Sequence, residues 1–146
     1  MKKLSTALLV LLLSACSSQV SVPSHTQDAH KADSLDKPMF LRGDFTLWDA
    51  EPQYKLTETK PGIYTVRTKL MNVEKVYEFK IADKAWSKGY NCGFKTQGNL
   101  TLNKPQIADC STVYNYFNFS PKKQGWYTIT FDYRNANLPT VMVSRG

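Results

Sequence analysis

Apolar and polar residues alternate strictly in three stretches of this chain, and the period of two excludes helices there. Tyr77, Phe79 and Ile81 alternate with Glu78, Lys80 and Ala82. Tyr127, Ile129, Phe131 and Tyr133 alternate in the same way with Thr128, Thr130, Asp132 and Arg134. Tyr64, Val66, Thr68 and Leu70 form a third run, opened by the turn signal Pro61-Gly62. This is the pattern of strands with one buried face. Shorter candidates are Phe40–Arg42, Tyr54–Thr57, Asn99–Leu102, Tyr114–Phe119 and Thr140–Ser144. No window carries a helical apolar period of useful length. About seven or eight short strands separated by turns predict an all-β, antiparallel, two-sheet sandwich over residues 39–146.

The N-terminus has a different character. Lys2 and Lys3 precede an apolar run, Leu4 to Leu13, of about ten residues where a membrane-spanning helix needs about 20. Leu13-Ser14-Ala15-Cys16 follows and resembles the bacterial lipobox at all four positions. The resemblance implies a signal peptide over residues 1–15, a diacylglyceryl thioether on Cys16 and membrane attachment through acyl chains. Ser17, rather than Asp, after the cysteine implies sorting to the outer membrane of a bacterial cell envelope. Residues 16–38 lack aromatics and apolar period, and they predict a flexible polar tether.

Cysteine counting follows from that assignment. With Cys16 lipidated, only Cys92 and Cys110 remain, and an oxidising compartment favours a disulfide between them. A metal site lacks ligands, because the only histidines are His25 and His30, both in the tether. The 19 Lys and Arg, less Lys2 and Lys3, stand against 12 Asp and Glu. This modest positive balance suits anionic envelope polymers or a merely soluble domain. Nucleic acid is not an expected partner in that compartment.

The expectation is of a protein that is not an enzyme and needs no cofactor. Residues 39–146 contain no histidine, which removes the commonest general base. Asp44, Asp49, Glu51, Asp83 and Asp109 show no spacing that pairs them as a glycosidase would require. No glycine-rich phosphate loop is present.

Three segments carry a second resemblance. They are Phe40-Leu41-Arg42-Gly43-Asp44-Phe45-Thr46-Leu47-Trp48, then Tyr77-Glu78-Phe79-Lys80-Ile81-Ala82-Asp83 followed by Trp86, then Asn91-Cys92-Gly93. In this order, with Gly62-Ile63-Tyr64 between the first two, they resemble the glycogen- and starch-binding modules of the early-set immunoglobulin-like group. Such modules occur in pullulanases, branching enzymes, some bacterial amylases and the β subunit of the AMP-activated kinase. The resemblance covers residues 39–93; Asn99 to Lys123 match no segment of that family, and Cys92 within Asn-x-Gly departs from it. It implies an immunoglobulin-like sandwich that binds α-glucan or a related envelope glycan. Trp48 and Trp86 would stack on sugar rings, and Lys80 and Asn91 would bond sugar hydroxyls. Lys80 lies opposite the core face of its strand. Each residue also has a structural reading: Trp48 and Trp86 as core aromatics, Lys80 as solvated surface, Asn91 as a turn residue. Tyr114, Tyr116 and Phe117 suit either a second aromatic surface or a packed strand. The other functional reading is a protein–protein module, an accessory lipoprotein of an envelope assembly such as a secretion system or transporter.

Overall fold

A computed structural model describes residues 31–146. The expected signal peptide, the lipidation site Cys16 and residues 17–30 of the expected tether lie outside the described residues. Among the described residues no helix is long and apolar enough to cross a membrane.

In chain order the strands are β1 (Phe40–Gly43), β2 (Thr57–Lys60), β3 (Ile63–Leu70), β4 (Tyr77–Ala82), β5 (Asn91–Cys92), β6 (Gln106–Ile107), β7 (Phe117–Phe119), β8 (Gly125–Asp132) and β9 (Thr140–Arg145). They make the expected sandwich. The larger sheet runs β2-β3-β8-β9-β6, and in the smaller sheet β4 pairs with β1 on one side and with β5 and β7 on the other. All these named strand pairs are antiparallel.

The alternation read from the sequence sets the faces. Register places Tyr64, Val66, Thr68 and Leu70 of β3 opposite Phe131, Ile129, Tyr127 and Gly125 of β8, and the four β3 side chains are buried. Leu41, Phe79, Ile81 and Phe117 of the smaller sheet pack onto Tyr127, Ile129, Phe131, Val141 and Val143 of the larger. Edge-to-face contacts of Phe119 with Tyr127, at 5.4 Å, and of Phe94 with Phe117, at 5.2 Å, knit this aromatic core, an arrangement that adds to area burial. Gly62, at φ 71°, makes the β2–β3 turn that Pro61-Gly62 predicts. Gly43 lets β1 approach β4 closely: a Cβ there would lie 2.4 Å from the Glu78 carbonyl oxygen.

Cys92 and Cys110 form the expected disulfide. Beside it, Gly93 and Asp109 exchange backbone hydrogen bonds, so the cross-link and a short ladder pin residues 108–111 against β5.

Four expectations need correction. Pro52 opens a 3-10 turn over Pro52–Tyr54, as a residue without an N–H does readily, so the strand expected at Tyr54–Thr57 begins only at Thr57. Asn99–Leu102 forms no strand; it touches the sheet through an Asn99–Asn118 bridge and a Leu100 N–H bond to the Asn118 carbonyl. Only Phe117–Phe119 of the expected strand Tyr114–Phe119 pairs, because residues 112–115 fold over Lys80 instead. Finally, the end of the expected tether is docked. Asp33 bonds Arg134 and Ala136 of the β8–β9 connection, Leu35 bonds the Tyr64 hydroxyl, and Asp36 accepts from the Tyr90 hydroxyl. Asp33, Leu35 and Asp36, expected in the tether, therefore bond to the sandwich.

Candidate functional site

Register dictates a pair of cations on the outer face of the smaller sheet. Arg42 of β1 is the cross-strand partner of Lys80 of β4, and both alternate with core residues, so both point outward. Outward does not mean exposed. Arg42 keeps 5% and Lys80 1% of its surface, because loops cover them.

Two turns close over Arg42. The first spans Gly43 to Trp48 and is held by Thr46, whose hydroxyl accepts from the Gly43 N–H and whose N–H donates to the Gly43 carbonyl. Leu47 and Trp48 take positive φ, 49° and 66°, a conformation that costs energy in residues with a Cβ. The second turn follows β4. The Asp83 carboxylate accepts from the Ser87 N–H at 2.7 Å and the Ser87 hydroxyl at 2.6 Å, and Trp86 sits at φ 57°. Burial pushes the Asp83 carboxyl up, but the Ser87 hydrogen bonds and Lys37 outweigh it and hold it below its ordinary value.

Arg42 ties the two turns together. Its Nε donates to the Trp48 carbonyl at 2.8 Å, and its Nη1 donates to the carbonyls of Asp83 at 2.7 Å and Lys84 at 3.2 Å. Its guanidinium lies against the Trp86 ring, 3.6 Å from the centroid, a close cation–π contact. Burial lowers the guanidinium's pKa, with Asp49 and Asp83 acting against it. Arg42 thus touches both expected stacking residues, Trp48 through its backbone carbonyl and Trp86 through its ring. Trp86 remains 36% exposed. Trp48 is half-buried and packs on Tyr116, with centroids 4.9 Å apart.

Lys80 departs from the expected role. Its ammonium donates to the carbonyls of Thr112 at 2.9 Å and Asn115 at 3.1 Å, and lies 5.8 Å from the Tyr116 ring. Burial pushes its pKa down to about 8, with Asp109 opposing. In this structure Lys80 is a post beneath residues 112–115 and offers no donor to a ligand at the surface. Its Nζ supplies the hydrogen bonds that carbonyls folded over a sheet require.

Asn91 of β5 pairs with Ala82 and so shares the outer face with Arg42 and Lys80. Its Oδ1 is buried and has no hydrogen-bond partner among the described residues. Its backbone N–H donates to Cys110, so the disulfide and Asn91 are positioned together.

Arg42 and Tyr116 complete this surface without having been singled out as site residues. The signal for Arg42 was its outward place in β1 within Phe40–Trp48; Tyr116 stood only in the aromatic stretch that suited either a second surface or a packed strand. Leu47, at 85% exposure, stands in the Gly43–Trp48 turn, and Tyr114, at 83%, in the segment that covers Lys80.

No family model and no curated protein matches the chain. Among solved structures it is similar to one described as the ligand-induced structure of AmyP-SBD, over 97% of this chain and 96% of that chain, with a TM-score of 0.57 and 19% identity. At that identity the likeness is one of fold: this chain shares an all-β, two-sheet sandwich with a starch-binding domain.

Proposed function

We propose that the sandwich is a non-catalytic binding module for an α-glucan or a related envelope glycan, held on a lipidated N-terminal segment at the outer membrane of a bacterial envelope. The observation that carries this reading is Trp86, part-exposed and stacked on Arg42, which also bonds the backbone carbonyl of Trp48. Sugar rings present C–H faces, and an accessible indole is a suitable surface for them. The fold likeness to AmyP-SBD supports the same class. Asn91 Oδ1, buried without a partner among the described residues, is the acceptor this reading keeps for a sugar hydroxyl, and Arg42 braces the two turns.

A site of this kind is weak. Each polar contact gains about 0.5–1.5 kcal/mol net, and association removes several kcal/mol. The dissociation constant for a short linear glucan should be roughly 10 µM to 1 mM. The test is titration of the full chain carrying Cys16→Ser with maltoheptaose, read by tryptophan fluorescence. Saturable binding that disappears in Trp86→Ala while circular dichroism is unchanged supports the site. A flat titration, or unchanged binding by Trp86→Ala, overturns it.

A second reading rests on the exposure of Leu47 and Tyr114. These apolar tips suit a protein partner in an envelope assembly. Leu47→Ser with Tyr114→Ser should then abolish capture of that partner and leave maltoheptaose binding intact.

A further inference from the structure

A second concave surface lies at the end of the sandwich where β7 and β8 diverge. It is a groove of about 460 Å³, within the roughly 300–1,000 Å³ of small-molecule sites. Leu100, Leu102, Phe119 and Tyr127 form an apolar lining, and Lys122, Lys123 and Arg145 stand around it. Asp and Glu are missing from the lining, and none of the three cations forms a salt bridge among the described residues.

The walls are braced before any ligand arrives. Leu100 donates its N–H to Asn118, Thr101 to the Gln106 side chain, Asn103 to Val143 and Lys104 to Thr101. The Tyr127 hydroxyl donates to the Lys123 carbonyl, which fixes the 120–124 connection across the mouth. The Arg145 guanidinium lies 5.9 Å from the Tyr127 ring centroid, so a positive charge sits beside the apolar floor.

The bordering strands narrow the class of occupant. β8 is paired on both sides, by β3 and β9. β7 is paired by β4 and closed on its far side by the Asn99–Asn118 bridge. Neither β7 nor β8 offers an extended peptide a free edge, and its backbone would bring unpaired polar groups into an apolar site. An aliphatic chain has no such groups. We propose that this groove binds a single-chain anionic amphiphile of the fatty-carboxylate type, its chain on Leu100, Leu102, Phe119 and Tyr127 and its head among Lys122, Lys123 and Arg145. Neither the apolar floor nor the cations alone would select it; their juxtaposition does. The proposal is independent of the glycan reading, which uses the outer face of the smaller sheet.

The test uses the full chain carrying Cys16→Ser, titrated with laurate below its micellar concentration and, in parallel, with uncharged dodecanol. The readouts are calorimetry and amide chemical shifts. Laurate should bind at least about tenfold more tightly than dodecanol at low salt, and added salt should narrow that gap. Shifts should centre on Leu100–Leu102 and Ser120–Lys123. Lys122→Glu with Lys123→Glu should remove the preference for laurate, and Leu102→Asp, at a part-exposed position, should abolish binding of both probes without changing maltoheptaose binding. Absence of laurate binding up to its solubility limit overturns the proposal. So does equal affinity for the two probes, or shifts centred on Trp48 and Trp86.

Discussion

The Arg42 guanidinium carbon lies 3.6 Å from the centre of the Trp86 ring while the same side chain bonds the carbonyls of Trp48, Asp83 and Lys84. One buried cation therefore sets the position of two turns whose tryptophans are 38 residues apart in the chain. Replacing it by Met removes the cation and leaves three carbonyls without that donor. Arg42→Met should lower stability by about 1–3 kcal/mol, measured by urea denaturation, and shift the tryptophan emission of the folded protein. Arg42→Lys should rescue only part of both effects, since an ammonium lacks the planar fork. An Arg42→Met protein with parental stability and emission would contradict this bracing role.

Lys80 gives a pH dependence with a definite sign. Its folded-state pKa is about 8, against 10.5 ordinarily, because burial disfavours the charged form more than Asp109 favours it. Between those values the unfolded chain holds a proton that the folded chain has released, so this group makes stability rise with pH across the window. Lys80→Met lacks the contribution. The stability of the parent minus that of Lys80→Met should therefore increase from pH 8 to 10.5 in chemical denaturation, with tyrosine ionisation common to both proteins. A difference that stays flat or falls would refute it.

How much of this was legible in the chain depends on whether the cause was local. Alternation in β3, β4 and β8 is a local property, and the strands, their inward faces and the outward direction of Lys80 all followed from it. The burial of Lys80 did not. It depends on carbonyls 32 and 35 residues away, supplied by a segment whose aromatics mimic a strand. The disulfide was legible by counting. The docking of residues 33–38 was not, because it rests largely on backbone groups and short polar side chains, such as the Asp33 carboxylate accepting from the Ala136 N–H, which leave no trace in hydropathy. Trp48 and Trp86 stood out as residues, yet Arg42, which touches both, was only one member of the Phe40–Trp48 segment.

The disulfide closes a span of 18 residues, for which chain entropy gives about 3 kcal/mol. Cys92→Ser with Cys110→Ser should lower stability by about that amount. The melting temperature of the double variant should match that of the reduced parent. Parental stability in the double variant would mean that the β5 ladder alone holds this region.

Thr68 offers the opposite sign. Its hydroxyl is buried and has no partner among the described residues, and Val has nearly the same shape. Thr68→Val should stabilise the fold by about 1 kcal/mol, seen as a higher urea midpoint at unchanged slope. A destabilised variant would show that the hydroxyl is satisfied in solution.

The guanidinium covers one face of the Trp86 indole, so at most the other face is left for a ligand. A polymer meeting it rests on a ledge and is not threaded through a clamp. On the proposed glycan reading, contact of that kind needs no chain terminus, so copies of the protein would settle anywhere along a long glucan.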